Sequence, residues 1–199
     1  GLTLASQDKG IRDFWIEHVK RCREIGAWFG RELGSPCVHN TWISDGMKDI
    51  PADRRKLRET LRESLDDILG VAYRTDELLD AVESKVFGIG TESFVVGSHE
   101  FYMGYAISHN ILLTLDMGHF HQGENVADKI SSVLMYTPGI LMHMSRGVRW
   151  DSDHVTIQND DIMNVCQEIV NQGTADLKKI HIGLDFFDGS INRLGAWVT

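Results

Sequence analysis

Residues 111–119 read Ile111-Leu112-Leu113-Thr114-Leu115-Asp116-Met117-Gly118-His119. The first part is an apolar run of strand length that does not alternate with polar residues. A strand apolar on both faces is buried on both faces, which is the habit of a parallel sheet covered by helices. The run then stops on an aspartate, with a histidine three residues later. In β/α barrels the chemistry sits at the C-terminal ends of the strands. One stretch therefore predicts an architecture and the place to look for a site.

Working outward, the same grammar repeats. Upstream, Cys37 to Ile43 and Leu79 to Val86 read as strands, the second with Glu83 and Lys85 embedded in it. Downstream, Ile140 to Met144 and Lys179 to Phe187 do so too. Between and before them lie helical patterns: Ser6 to Leu33, Ala52 to Ile68, His99 to Ser108, Glu124 to Tyr136 and Asp160 to Asn171. The first is periodic through Ile11, Phe14, Trp15, His18, Val19, Cys22, Ile25 and Phe29, with Gly34 as its stop. Asp49-Ile50-Pro51 marks the start of the second, and the charged run from Lys48 to Asp67 reads as its solvated face. Ser190 opens a last helical pattern. The βα unit recurs about five times, so the expected fold is α/β: a partial (β/α)8 TIM barrel of parallel strands, in one domain over residues 1–199. Eight strands need about 250 residues, which places the remaining strands mostly upstream. With no initiator Met at Gly1 and an apolar helical pattern up to Thr199, the sequence is expected to be a fragment of a longer chain.

Composition bounds the function. Of 199 residues, 42% are apolar and 25% charged, a globular balance that excludes disorder and coiled coil. The net charge of -9 opposes nucleic-acid binding, which needs a basic face. No apolar run approaches the roughly 18 residues of a membrane span, and a cytoplasmic protein is expected. Cys22, Cys37 and Cys166 form no CxxC pair, so neither a disulfide framework nor a thiolate zinc site is indicated, and each is expected to be a buried structural residue.

Four consecutive strands end in metal-capable or charged groups: Glu83-Ser84-Lys85, then Asp116-Met117-Gly118-His119, then His143 followed by Asp151-Ser152-Asp153-His154, then Asp185-Phe186-Phe187-Asp188. A lone Asp or His at a strand end is usually a cap or a loop hydrogen-bond partner. Four in succession on apolar strands imply groups that are paired or bind a metal. Carboxylate and imidazole without thiolate suit Mn²⁺, Mg²⁺, Co²⁺ or Zn²⁺. About seven ligands suffice for two ions sharing one carboxylate.

Cys37-Val38-His39-Asn40-Thr41-Trp42-Ile43, Glu83 to Gly90, Leu115 to Phe120, Val148 to His154 and His181 to Asp188 together closely resemble the L-rhamnose isomerases, in the C-terminal half of their chain. The order Glu-x-Lys, acid-x-x-His, Asp-x-Asp is distantly similar to the xylose isomerases. The resemblance implies a metal-dependent aldose–ketose isomerase of carbohydrate catabolism, interconverting L-rhamnose and L-rhamnulose by a metal-assisted hydride shift between C1 and C2. It implies two divalent ions, with Mn²⁺ the first choice, and a cytoplasmic homotetramer. Glu83, Asp116, His143 and Asp185 would hold a structural, substrate-binding ion. His119, Asp151 and Asp153 would hold a catalytic ion, with Asp116 a bridge. Lys85 would hydrogen-bond the substrate oxygen, and Trp42 would wall the sugar. In relatives a catalytic His and further sugar contacts come from the upstream strands.

Plainer readings stand beside these. Lys85 could be a surface lysine, although Leu79, Val82 and Val86 around it oppose that, and Trp42 could be plain core. Asp188 competes with Asp185, which directly follows the apolar run. His99, His109, His121, His154 and His181 read as ordinary hydrogen-bonding histidines. The alternative functions are a metal-dependent hydrolase or endonuclease on the same scaffold, or an inactive piece that works only when assembled. Lys85, two residues after Glu83, and the acidic charge favour the isomerase.

Overall fold

The computed structural model describes residues 2–85, 93–121, 123–147, 154–173, 177–186 and 194. Its elements run α1 (Lys9–Leu33), β1 (Cys37–Thr41), β2 (Gly46–Met47), α2 (Arg54–Leu69), β3 (Leu78–Glu83), β4 (Phe94–Val95), α3 (His99–His109), β5 (Leu112–Asp116), α4 (Ala127–Leu134), β6 (Ile140–Met144), α5 (Asp160–Asn171) and β7 (Ile180–Leu184). Five strands form one sheet in the order β1-β3-β5-β6-β7, every neighbouring pair parallel, curled as a half-barrel. The partial-barrel expectation therefore holds. The final helix expected from Ser190 lies outside the described residues, and so does Val86.

Strand order equals chain order, each strand of the sheet pairing with the next one along the chain, as in a β/α barrel. The helix ends follow local chemistry. The Asp8 carboxylate accepts from the Gly10 and Ile11 amides (2.8 and 3.2 Å) and starts α1, and Gly34 at φ 66° ends it. Asp53 caps α2 through the Lys56 amide at 2.9 Å, so the charged run from Lys48 enters the helix only at Arg54. A short antiparallel pair, β2 with β4, ties the loop after β1 to the loop after β3. Nothing in the apolar pattern announced it, since each partner is two residues long.

Side chains alternate across each strand, which splits the interior into two apolar clusters. Towards the helices, Leu113, Leu115, Ile140 and Met142 pack with Leu61, Leu65, Ile68, Ile130 and Val165. On the concave face, Ala81, Leu112 and Leu141 pack with Val38 and Leu79 as a barrel floor.

Helix α1 forms where its periodicity indicated, but only part of the periodic stripe packs, Trp15 and Val19 lying against the core. Its packed face is Ile16, Arg23, Gly26, Ala27 and Gly30, whereas Ile11, Phe14, Ile25 and Phe29 are exposed. Close approach selects the small face: a Cβ on Gly30 would lie 1.9 Å from the Glu77 carbonyl oxygen at the start of β3. The cysteine expectation fails. Cys22 and Cys37 are half-buried and Cys166 is exposed, because α5 turns Val165 and Ile169 inward and the adjacent residue falls outside. No described helix is long and apolar enough to cross a membrane.

A buried ion pair joins α1 to β3. Arg23 Nε and Nη2 each donate to Asp80 at 2.8 Å, and Nη1 donates to the Ile68 carbonyl at the end of α2. Burial alone would raise the Asp80 pKa, but His39 and Arg23 beside it outweigh burial and hold it below the usual carboxylate value. The pair's stabilisation is thus present above the unfolded carboxylate pKa and is lost as pH falls through the lowered folded value. We expect Asp80→Asn to destabilise the fold at pH 7 by about 3–5 kcal/mol, because it strands a buried guanidinium. Urea unfolding at pH 7 and pH 3 should show that gap closing at the lower pH; an equal gap at both would remove the electrostatic account.

Candidate metal centre

The parallel register brings the strand ends to one rim. Glu83 is the last residue of β3, Asp116 the last of β5, His143 the fourth of β6, and Asp185 follows β7. Asp116 lies level with His143, which lies level with Gly183. Gly183 leaves room for the imidazole, since a Cβ there would come 3.2 Å from His143 Cδ2. One ligand atom each from Glu83, Asp116, His143 and Asp185 falls within 4.8 Å of the other three.

His143 Nδ1 is the hub, 3.2 Å from Glu83 Oε1, 3.5 Å from Asp116 Oδ2 and 3.1 Å from Asp185 Oδ2. Burial would lower the His143 pKa, yet hydrogen bonds to Asp116, Asp185 and Glu83 push it up to about 12. Burial likewise opposes ionisation of Glu83, but hydrogen bonds from His119 and His143 bring it down to about 2. At Asp116 burial prevails and raises the pKa. The hydrogen bond to His143 lowers that of Asp185. One nitrogen carries at most one proton, so it cannot serve three carboxylates well. Three acids and one imidazole, oxygen-rich and without thiolate, fit a divalent cation in both charge and donor type.

Protein donors orient the two deepest acids. Asp116 Oδ1 accepts from the Gly118 amide at 2.6 Å and from the Ser145 hydroxyl at 3.0 Å, leaving Oδ2 towards the cluster. Asn40 Nδ2 donates to Glu83 Oε2, so that Oε1 faces His143. Sequence reasoning missed Asn40, Ser145 and the Gly118 amide. The only signal would have been polar residues standing in or beside apolar strands.

The other expected site residues are distributed as follows. His119 is buried, and its Nδ1–H donates to the Ser84 carbonyl at 2.9 Å with Glu83 Oε1 at 3.2 Å. That places its proton on Nδ1 and presents Nε2 as the acceptor. Lys85 is buried despite following the strand, with Nζ 4.9 Å from the Trp42 ring centre. Trp42 is 38% exposed, hence not plain core, and stacks on His119 at 6.4 Å. Lys85, Trp42 and His119 thus stand together beside the acidic cluster. Asp151, Asp153 and Asp188 lie outside the described residues. Among the remaining histidines, His109 bonds the Tyr105 carbonyl and lies 3.1 Å from Asp66, and His121 accepts from the Gly123 amide.

Fold and site define a β/α half-barrel with a candidate metal centre at the C-terminal rim of its strands. A solved structure with this fold is 3-keto-D-glucoside 4-epimerase YcjR from E. coli in its apo form, with TM-score 0.60 at 10% identity over 98% of this chain and 72% of that one. The L-rhamnose isomerase (RhaA) family model matches residues 1–199, and the chain belongs to that family. L-rhamnose isomerases of Rhodopirellula baltica, Bacteroides thetaiotaomicron and Citrobacter koseri are 56%, 53% and 52% identical to it, over 99%, 99% and 100% of this chain. The chain spans about half the length of the curated relatives it matches, 46% to 47%.

Asp116→Asn should separate fold from ion binding. The amide keeps an oxygen for Gly118 and Ser145 and removes a buried negative charge. We expect the metal-free protein to melt about 2–4 °C higher, the shift for roughly 1 kcal/mol at this size. Mn²⁺ should raise the melting temperature of the parent but not of the variant. Scanning calorimetry with chelator and with Mn²⁺ measures both; an unchanged Mn²⁺ shift would dismiss Asp116 as a ligand.

Proposed function

We propose that the full-length protein of which these residues are part is an L-rhamnose isomerase, converting the aldose L-rhamnose to the ketose L-rhamnulose and back. The observation that carries the reading is the convergence of Glu83, Asp116, His143 and Asp185 at one rim of parallel strands, in a chain of this family. In the reaction, hydrogen moves from C2 to C1 and the O2 proton ends on O1, so the molecular formula is unchanged. The hydrogen shift is read as a hydride shift. Two divalent ions, Mn²⁺ foremost with Co²⁺, Zn²⁺ or Mg²⁺ possible substitutes, would supply Lewis-acid polarisation of the carbonyl.

Glu83, Asp116, His143 and Asp185 would hold the ion that binds substrate, and His143 would contact the sugar as well. His119, Asp151 and Asp153 would hold the second ion. An Asp-x-Asp segment in extended conformation points both carboxylates to the same side. Lys85 would place a cation where the substrate oxygen develops negative charge, and its burial strengthens that interaction. The face of Trp42 beside it offers an apolar wall to the sugar.

These 199 residues would form part of a single barrel domain. Support comes from β1 and β7, each paired on one side within the described sheet, with Ile182 and Leu184 of β7 exposed at 59% and 73%. Bare apolar edge strands are covered in stable proteins, and the rest of the barrel would cover them. A cytoplasmic homotetramer completes the reading.

Chelation should abolish aldose-to-ketose conversion by the full-length protein, and Mn²⁺ or Co²⁺ should restore it. Undiminished conversion of L-rhamnose in chelator, measured by ketose formation, would reject the metal-dependent mechanism. Lys85→Met should retain the ions and lose about 10²–10³ in turnover, the effect of one missing oxyanion donor. An unaltered rate with full metal content would return Lys85 to a structural role.

A further inference from the structure

Beneath the acidic cluster, the floor of the half-barrel carries polar side chains at Asn40 and Thr114 among its apolar ones. Asn40 of β1 and Thr114 of β5 sit on the concave face on either side of β3, with Thr114 fully buried. In register, Asn40 is level with Ala81 and Thr114 with Glu83. The small Ala81 side chain between the two strands lets Asn40 reach across β3. The Thr114 hydroxyl donates to Asn40 Oδ1 at 2.8 Å, and Asn40 Nδ2 donates to Glu83 Oε2. An ionised carboxylate only accepts, so the amide nitrogen must face Glu83 and the amide oxygen must face Thr114. The carboxylate thus sets the amide's orientation, and the threonine hydroxyl supports it by donating to the amide oxygen.

The consequence falls on Glu83. Its Oε2 is occupied by protein, and only Oε1 faces His143 and His119, each 3.2 Å away. We propose that Asn40 and Thr114 are positioning residues that hold Glu83 as a one-oxygen ligand, and that they thereby bias the site against Ca²⁺. The inference rests on the metal reading above. Ca²⁺ takes six to eight oxygens and readily accepts both oxygens of one carboxylate, whereas Mn²⁺ and Mg²⁺ favour octahedral sites with one oxygen per carboxylate. Removing this support frees Oε2 to swing towards the ion, which favours the larger cation.

Thr114→Val keeps the branched shape and deletes the hydroxyl, while Thr114→Ser keeps the hydroxyl and deletes the methyl group. Asn40→Asp replaces the donor by a charge that repels Glu83. The probes are Mn²⁺ and Ca²⁺, titrated calorimetrically into the full-length protein carrying Asp153→Asn, which leaves one ion site under the proposed assignment. Melting in chelator identifies variants that fold, and if Asn40→Asp does not, the two Thr114 variants decide. Thr114→Val and Asn40→Asp are expected to weaken Mn²⁺ by about 10–100-fold, the usual effect of losing a partner behind a ligand. Ca²⁺ should weaken less, so the preference for Mn²⁺ narrows, and Thr114→Ser should restore the parent values. If Thr114→Val binds both ions as the parent does, or if Thr114→Ser fails like Thr114→Val, the positioning role is overturned while the metal site stands. Failure of the parent itself to bind Mn²⁺ would overturn the site and this inference together.

Discussion

Parallel pairing is the constraint from which the site follows. Five strands pointing one way must end on the same rim, so residues far apart in sequence meet if each occupies its strand's last positions. The register then decides which residues meet. Asp116 opposite His143, and Glu83 opposite Thr114, bring acid, imidazole and hydroxyl to successive levels of one concave surface. A slip of one residue in any strand would turn its contribution into the helix-facing core. The apolar packing of Leu113, Leu115, Ile140 and Met142 on that other face is what forbids the slip.

The same arrangement concentrates charge. Glu83, Asp116 and Asp185 crowd one imidazole nitrogen, and the two deepest acids are largely removed from water. Such a cluster costs folding free energy unless something positive answers it. Part of the answer is built in: Asn40, Ser145 and the Gly118 amide each bind an outer carboxylate oxygen. These contacts orient the acids without neutralising them. A site organised this way trades stability of the metal-free chain for affinity, which is why an ion should both bind and stabilise it.

Much of this was legible along the chain. The alternation of apolar runs with amphipathic helices implied a parallel sheet, and β6 and α5 have the limits their patterns indicated. Acidic and histidine residues at strand ends marked the rim, because four such ends in succession on apolar strands imply groups that are paired or bind a metal. Period and strand-end chemistry are local properties, and local reading captures them. Burial was less legible. The exposed stripe of Phe14, Ile25 and Phe29 on α1 has the periodicity of a core face, and only the close approach at Gly30 shows which side packs.

The sequence alone therefore determined the class of fold, the family resemblance and the candidate ligands Glu83, Asp116, His143 and Asp185. Hydrophobic period and residue type carry that information within single strands. Tertiary structure decided which atoms of those ligands face one another, which oxygen of each acid is already engaged, and that His119 shares Glu83 with His143. It also decided that Asn40 and Thr114 touch across an intervening strand. Contacts of this kind depend on register and on the curl of the sheet, and both are set by the packing of several distant segments at once.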